Sequence, residues 1–272
     1  MGLRINTNVA ALNTSRILRR NTLALNKSLE RLSSGLRINR AADDAAGLAI
    51  AEGFRSLVRG NQVAARNSQD GISLVQTAEG SLTETSNLLQ RIRELAVQAA
   101  NGTNSTQNRI ALDAEVQQLL AQIDDIAFDT EFNGLNVLSA AQTITIQSGP
   151  QPNQTLNIQV SPSKTSDLLI STVSISSVAL AVSAISSVDL ALKSVNNLRS
   201  TLGAIQNRLE FTINVLGIQE ENSSYAESAI RDADIAVETM HFTRNQILVS
   251  AGTSVLAQAN IVPQTALQLL GG

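Results

Sequence analysis

The sequence predicts a mainly α-helical protein whose long helices meet along aliphatic seams, with one small β-hairpin near the middle of the chain. Three observations predict this fold class. Aliphatic residues recur at helical spacing along most of the 272 residues, only 2% of residues are aromatic, and polar–apolar alternation is confined to residues 142–160. A core with so few rings must be built from Leu, Ile, Val and Ala, which suits long paired helices better than a sandwich or a barrel.

The first half of the chain predicts three helices. An apolar stripe over 3–36 predicts the first of them, and Gly35 is in the position of a residue that ends this helix. Residues 36–70 show no clear stripe and are predicted to form an irregular connector. Further stripes predict helices over 71–100 and 106–128, and the last of these stripes has the heptad rhythm of a coiled coil.

The second half changes its period and then returns to helix. Two alternating runs around a Gly- and Pro-containing turn predict a β-hairpin over 142–160 with one buried face. Residues 161–177 are rich in Ser and Thr and predict no regular element. A stripe from 178 to about 240 predicts a single long helix, and a last stripe over 248–269 is interrupted by Pro263.

Missing residue types exclude several kinds of chemistry. The chain has no Cys, which excludes disulfides, thiolate nucleophiles and zinc–thiolate sites. His241 is the only histidine, and we expect it to be an ordinary surface or interface residue. The adjacent carboxylates Asp43–Asp44 and Asp124–Asp125 point to different helix faces, so we expect them to be solvated. We therefore expect no catalysis, no metal and no cofactor.

The sequence shows neither a membrane span nor a cleaved leader. No uncharged apolar run of about 18 residues occurs, so we expect no membrane insertion. The N-terminus lacks the apolar core of a signal peptide. These features predict a cytosolic protein or one that is exported without a cleaved signal.

Charge is unevenly distributed along the chain. Residues 1–70 carry eleven Arg and Lys against five Asp and Glu, whereas the remainder carries nine against eighteen. A basic third of a chain can indicate nucleic acid, but the aromatic residues that would stack on bases are missing. The acidic remainder of another copy is an equally good partner, so we expect no nucleic acid.

Both ends of the chain carry amphipathic helices with small aliphatic faces. Residues 245–272 contain no charged residue. A helix with such a stripe and so little charge is marginal in water on its own. We therefore expect the two ends to be buried against each other and against other copies of the chain.

Seven short motifs stand out along the chain: NTNVAAL at 6–12, LERLSSGLRIN at 29–39, AADDAAGLAI at 41–50, LQRIRELAVQ at 89–98, FNG at 132–134, LGAIQNR at 202–208 and AGTSVLAQAN at 251–260. Together they resemble the motifs of bacterial flagellins, the subunits of the helical flagellar filament. The matching parts span roughly 1–138 and 186–272, in the order of the family.

The resemblance implies a fold and a function. The implied inner domain, 1–44 plus 236–272, pairs the terminal helices as a coiled coil, and the implied outer domain, 45–235, is a rod-like core that carries the hairpin. Only the short stretch 140–185 separates the matching halves, so we expect a minimal flagellin without a variable outer domain. The implied function is structural: the chain is secreted unfolded and polymerises at the tip of an extracellular filament for motility.

The resemblance also implies partners and contact residues. The partners are further copies of the chain, an export chaperone, and the filament cap and hook–filament junction proteins. Contacts between copies are assigned to Val9, Leu12, Leu29, Arg31, Leu32, Leu36, Asp43, Asp44, Val255, Leu256, Val262 and Leu269. Asp43 and Asp44 are expected to meet arginines of another subunit. Chaperone binding is assigned to Ile247, Leu248, Val255, Leu256, Leu267 and Leu270.

A host innate immune receptor is a further implied partner. Flagellins that activate a Toll-like receptor carry matching residues on two neighbouring helices, which here are Leu89, Gln90, Arg91, Leu95, Gln98 and Glu115. An Arg/Glu patch with a Leu anchor is typical of an interface hot spot. Leu119 departs from the pattern, because recognised flagellins can carry Arg there.

Three alternatives to a filament subunit remain open at this point. A hook–filament junction protein shares the terminal helices of the family. An intracellular coiled-coil scaffold would share the helical periodicity. An enzyme is the weakest alternative, since neither a nucleophile–base set nor a nucleotide-binding loop occurs.

Overall fold

The computed structural model describes residues 7–270, and it describes side chains for residues 7–261 and 265. Contacts divide the chain into two compact units. Unit 1 comprises the residues up to Ser56 and those from Asn222 onward, and unit 2 comprises Leu57–Glu221. The implied inner domain, 1–44 plus 236–272, lies within unit 1.

The first helix, α1, spans Val9–Ser34 and ends as the sequence predicts. Asn8 caps its start, because the side-chain oxygen accepts a hydrogen bond from the N–H of Ala11 at 3.0 Å. Gly35 ends it in the left-handed conformation, with φ of 71°. The predicted start at residue 3 lies outside the described residues.

The second helix, α2, spans Ala45–Ala100, so the predicted irregular connector over 36–70 is wrong beyond residue 44. The helix begins where Asp44 Oδ1 accepts the N–H of Gly47 at 2.9 Å. Buried positions in its first half are small or polar, namely Ala51, Asn61, Ala64 and Ser68. Such residues can line a buried helix face without the Leu and Ile stripe from which a helix is predicted.

The third helix and the turn after it are confirmed. The helix α3 spans Thr106–Asp129, and the short strands β1, Glu131–Phe132, and β2, Leu135–Asn136, follow it. Asn133 and Gly134 join the strands with φ of 50° and 76°. Paired left-handed residues are what a two-residue hairpin turn requires.

The predicted hairpin over 142–160 is also confirmed. Strand β3, Gln142–Gln147, pairs antiparallel with β4, Thr155–Val160. Ile144 lies opposite Ile158, so the apolar positions of the two strands share one face. The apolar residues of β4 on that face belong to the core, as a hairpin with one buried face predicts.

Residues 161–177 form neither helix nor strand, yet they contribute to the core. Four of their apolar side chains are buried: Leu168, Ile170, Val173 and Ile175. The carboxylate of Asp124 accepts both the N–H and the hydroxyl of Thr165, each at 2.8 Å, and Asp113 Oδ1 accepts the N–H of Ile175 at 2.6 Å. The expectation that Asp124 is only solvated is therefore wrong, because it fixes this coil to α3.

The long helix predicted from 178 to 240 is two helices. The first, α4, spans Val178–Arg231, and the second, α5, spans Ile235–Leu270. Asp234 starts α5, because its Oδ1 accepts two backbone N–H groups of the first turn. A continuous aliphatic stripe does not reveal such a break. Pro263 falls within α5.

The apolar core lies in unit 2. Aliphatic side chains of α2, α3, the β3–β4 hairpin, the coil after it and α4 form one cluster. Its fully buried members include Leu82, Leu89, Ile92, Ile123, Ile170 and Leu202. This agrees with a core built without aromatic rings.

One helix of the described chain, α4, is long and apolar enough to cross a membrane by length and composition alone. We expected no such segment. Only 28% of its most apolar stretch is buried. Even so, the small residues Ala181 and Ala184 of α4 belong to the core cluster. Core helices pass the same test, so this finding is weak evidence for a membrane.

Candidate assembly interface

Unit 1 is built around an antiparallel pairing of α1 with α5. At one end the Asn8 Nδ2 donates to the carbonyl of Ala259 at 2.8 Å. At the other end Arg31 Nη1 lies 3.4 Å from Glu238 Oε2. The two ends of the chain therefore contact each other, as the amphipathic stripes predict.

The seam between these helices is narrow. A Cβ on Gly252 would lie 3.2 Å from Leu18 Cδ1, so the glycine permits close approach there. Among the described side chains of α1 and α5, no aliphatic residue is buried, and the buried residues are Ser28 and Glu238. The described part of the pair therefore has no fully buried apolar core of its own.

The outer sides of α1 and α5 are apolar and exposed. Val9 and Leu12 of α1 are 65% and 64% exposed, and Ile247 of α5 is 63% exposed. The other exposed large aliphatic residues on these helices are Ile17, Leu23, Leu29, Ile235, Val237, Leu248, Val255 and Ile261. Exposed apolar patches of this extent mark interaction surfaces. Full burial of each such side chain contributes about 1.5–3 kcal/mol.

The apolar residues assigned to contacts between copies fall into three groups. Four are exposed: Val9, Leu12, Leu29 and Val255. Three are half-buried: Leu32, Leu36 and Leu256. Val262 and Leu269 lie outside the described side chains. Their role in contacts between copies stays a prediction.

Asp43 and Asp44 have partners within the same chain. Asp43 Oδ1 lies 2.8 Å from Lys27 Nζ, and its carboxylate also accepts the N–H groups of Asn39 and Arg40. The hydrogen bond from Lys27, followed by that from the Arg40 N–H, lowers the pKa of Asp43 to about 2. Asp44 caps α2. That these two carboxylates also meet arginines of another subunit stays a prediction.

The connector at 35–44 is fixed to the junction of α4 and α5. Arg37 Nε donates to the carbonyl of Ile230 at 3.2 Å, and the N–H of Ala233 donates to the carbonyl of Gly35 at 2.9 Å. Leu36 forms an isolated antiparallel bridge with Asp232 in the same region. Arg31, which we assigned to contacts between copies, is likewise occupied by Glu238 of its own chain. Polar contacts thus help to hold unit 1 together, beside Ile38 of the connector, which is buried.

The residues assigned to a chaperone lie on α5. Three of them are exposed, namely Ile247, Leu248 and Val255. Leu256 is half-buried, and Leu267 and Leu270 lie outside the described side chains. The exposed three lie within two turns of helix and present an apolar surface to a partner.

The residues assigned to receptor recognition are divided between surface and core. Arg91 donates from Nη2 to Glu115 Oε1 at 2.9 Å, which raises the pKa of its guanidinium, and both residues are exposed. Gln90 and Gln98 are also exposed.

The leucine anchor of that assignment is wrong. Leu89 is fully buried and Leu95 is 1% exposed, so both belong to the core of unit 2 and neither can reach a partner. Leu119, the position that departs from the family pattern, is half-buried. The periodicity of α2 could have revealed this, because Leu89, Ile92 and Ala96 follow one helical stripe.

No cluster of three or more metal-ligating side chains occurs within the described residues. His241 is exposed on α5, and Asp125 is exposed on α3. The geometry therefore offers an extensive apolar contact surface on α1 and α5 as the candidate functional site.

Two known family regions cover most of the chain. Residues 5–143 match the bacterial flagellin N-terminal helical region, and residues 185–270 match the bacterial flagellin C-terminal helical region. In the part of the chain that the structure describes, both regions are mostly helical.

Whole proteins and a solved structure agree with this match. The flagellin of Halalkalibacterium halodurans is 48% identical over 269 residues, which cover 98% of this chain and 99% of that protein. The flagellar filament 31.3 kDa core protein of Treponema maltophilum is 42% identical over 283 residues, with 98% and 99% covered. The crystal structure of Bacillus cereus flagellin is 35% identical and has a TM-score of 0.51, over 55% of this chain and 88% of that one.

These relatives decide between the alternatives that the sequence leaves open. Near-complete coverage by flagellins favours a structural filament subunit over a junction protein, an intracellular scaffold or an enzyme. It also agrees with the absence of a large variable domain between the matching halves. The chain belongs to the bacterial flagellin family.

Proposed function

We propose that this flagellin is secreted unfolded, adds to the tip of the extracellular filament, and buries the outer faces of α1 and α5 on neighbouring copies as it does so. The observation that supports the proposal is the set of exposed aliphatic side chains on two helices that bury none of their own. Repeated contacts between different faces of identical subunits generate an open helical polymer. The inner and outer domains implied by the resemblance, 1–44 plus 236–272 and 45–235, are part of this proposal.

Seeded polymerisation tests the assembly step. Purified protein is mixed with short filament fragments, and elongation is followed by sedimentation and electron microscopy. Leu12→Gln combined with Val255→Gln is expected to raise the concentration needed for elongation at least about 10-fold, since two buried aliphatic contacts are lost. Leu169→Gln is the matched control, because Leu169 is an aliphatic residue of unit 2 that is 81% exposed.

Three outcomes bear on the proposal. Normal elongation of Leu169→Gln with impaired elongation of the double variant supports it. Equal elongation of both variants contradicts the role of the α1 and α5 faces. Failure of the unaltered protein to elongate any seed contradicts assembly as a whole.

An export chaperone is the proposed partner of α5 before assembly. Ile247, Leu248 and Val255 form its binding face, because an apolar helix face needs cover in the cytosol. The filament cap and the hook–filament junction proteins are the proposed partners at the two filament ends. Replacing Ile247 and Leu248 by Gln is expected to abolish co-purification with the chaperone. Tight binding by that variant would contradict the proposal.

Recognition by a host Toll-like receptor is a second proposed function. It is supported by the exposed Arg91–Glu115 ion pair, which Gln90 and Gln98 flank on α2. Arg91→Ala is expected to reduce receptor signalling, whereas Arg93→Ala, at an exposed arginine that pairs with Asp189 instead, is the control. Equal signalling by both variants would argue against this surface.

A further inference from the structure

A groove with an acidic rim lies between α2 and α3 in unit 2. Its volume is about 430 Å³, and Ile126 lies on its wall. Glu84 of α2, Asp129 of α3 and Glu131 of β1 line it. We call these four residues the acidic groove.

The carboxylates of the acidic groove have no ion-pair partner in the described part of the chain. The ion pairs found in unit 2 involve other acids, namely Glu79, Glu94, Glu115, Asp167 and Asp189. Three uncompensated negative charges around Ile126 repel one another. A cationic, partly apolar surface is the complement of such a groove.

An exposed face of α2 has that complementary chemistry. Arg59 and Arg66 lie seven residues apart, which places them on one face of the helix about 10 Å apart. Val63 lies between them and is 46% exposed. Neither arginine has a carboxylate partner among the residues described. We call Arg59, Val63 and Arg66 the basic stripe.

The basic stripe cannot fill the acidic groove of its own copy. Along α2, Arg66 and Glu84 are 18 residues apart, which corresponds to about 27 Å. An arginine side chain spans only a fraction of that distance. The two surfaces can therefore meet only between copies.

We infer that the basic stripe of one copy docks in the acidic groove of the next copy in the filament. The two arginines face the three carboxylates, and Val63 faces Ile126. Because the two surfaces differ, each pairing leaves one stripe and one groove free, so the contact repeats without closing. This inference rests on the proposed function and names one contact that the assembly uses.

Charge reversal tests the pairing in seeded polymerisation. Arg59→Glu with Arg66→Glu forms one variant, and Asp129→Lys with Glu131→Lys forms the other. Each alone is expected to raise the concentration needed for elongation about 10-fold, because attraction becomes repulsion at every contact. An equimolar mixture is expected to elongate within about 3-fold of the unaltered protein, since alternating copies again present opposite charges.

Matched controls change net charge equally at other sites. Lys193→Glu with Arg208→Glu reverses two exposed cations of α4, and Glu210→Lys with Glu221→Lys reverses two exposed acids of α4. These controls are expected to elongate within about 3-fold of the unaltered protein. The milder pair Arg59→Gln with Arg66→Gln, expected to cost about 3-fold, guards against misfolding of the reversed variant. Circular dichroism at 222 nm checks that all variants keep their helices.

The outcomes separate this contact from assembly in general. If unaltered protein does not elongate seeds, the proposed function fails, and this contact fails with it. If unaltered protein elongates and the reversed variants match their controls, the pairing is overturned while the proposed function stands. A mixture no better than either variant alone also overturns the pairing.

Discussion

Backbone conformation at two glycines of unit 2 predicts opposite effects of adding a methyl group. Gly134 has φ of 76°, whereas Gly203 lies within α4, and a Cβ at either position would meet nothing within 4 Å. Gly134→Ala is expected to destabilise the protein by about 1 kcal/mol, because alanine disfavours the left-handed conformation. Gly203→Ala is expected to stabilise it by about 0.5–1 kcal/mol, because it reduces the entropy of the unfolded chain.

Urea unfolding of the monomeric protein measures both free energies. The two substitutions serve as controls for each other, since each adds the same methyl group in open space. Shifts of the same sign would contradict the conformational explanation.

The low pKa of Asp43 predicts how the connector at 35–44 responds to acid. The pKa is lowered from 3.8 to about 2, chiefly by Lys27, so the folded state favours the carboxylate form. The resulting stabilisation is complete above about pH 5 and is lost as the pH falls towards 2. The protection of the Asn39 and Arg40 amides, measured relative to their intrinsic exchange rates at each pH, is expected to fall over that interval.

The variant Asp43→Asn provides the comparison for this effect. It is expected to show fast exchange of the same two amides already at pH 6, because the carboxylate acceptor is lost. Asp70→Asn, at an exposed position outside the connector, is the control. Protection factors of the two amides that do not change between pH 5 and 2 in the unaltered protein would contradict the assignment.

Leu95 is buried and the nearby Arg91 is exposed, so their substitutions by alanine should affect the stability of the protein differently. Leu95→Ala is expected to cost about 2–5 kcal/mol, because it leaves a cavity in the core of unit 2. Arg91→Ala is expected to change stability by less than about 1 kcal/mol, because its ion pair with Glu115 is exposed. Thermal unfolding distinguishes them, and a stable Leu95→Ala protein would refute the core placement.

The sequence predicts residue types at the receptor surface better than it predicts their exposure. Leu89, Arg91 and Leu95 lie in one contiguous motif, and a motif does not say which of its members face outward. The helical period does say so, since Leu89 and Ile92 share a stripe with other core residues. The ion pair between Arg91 and Glu115 depends on tertiary packing and follows from neither pattern.

At the scale of elements, the coil over 161–177 depends on polar anchors rather than on a ladder of backbone hydrogen bonds. Asp124→Ala removes the acceptor for two donors of Thr165, a residue that is itself buried. The expected loss is about 1.5–3 kcal/mol, because hydrogen bonds to a carboxylate are lost and a buried donor is left unpaired.

The neighbouring Asp125→Ala is the control for that prediction. Asp125 is exposed and should change the free energy of unfolding by less than about 0.5 kcal/mol. Urea unfolding compares the two variants. Equal effects would show that Asp124 does not anchor the coil.

The sequence predicts that most of the chain is helical, but it does not predict several of the helix boundaries. The stripes predict α1, α3 and the β3–β4 hairpin closely, because each has alternating or periodic aliphatic residues bounded by turn residues. The first half of α2 buries Ala and Ser, whose small side chains give a weak periodic signal. The break between α4 and α5 depends on the capping residue Asp234, which interrupts the helix without interrupting the stripe.

At the scale of the whole molecule, the two units differ in how they are stabilised. Unit 2 has an aliphatic core that α2, α3, the hairpin and α4 share. In unit 1, α1 and α5 meet through a narrow seam and polar contacts, and their described aliphatic side chains stay at least partly exposed. In a lone subunit, the free energy of local unfolding should therefore be lower for unit 1 than for unit 2.

The sequence predicts this asymmetry only in part. Uncharged aliphatic stripes at both chain ends indicate surfaces that other copies cover. Which side of α1 faces α5 and which faces outward depends on the pairing itself, in which Gly252 closely approaches Leu18. The pairing of the acidic groove with the basic stripe rests on charges that only the fold brings together.

Hydrogen exchange of the same protein as monomer and as filament tests the central claim most directly. Amides of α1 and α5 are expected to exchange rapidly in dilute monomer and to become strongly protected in the filament. Amides around Leu82, Leu89 and Ile92, in the core of unit 2, are expected to be protected in both states. Equal, strong protection of α1 and α5 in the monomer and in the filament would contradict the claim that neighbouring copies complete them.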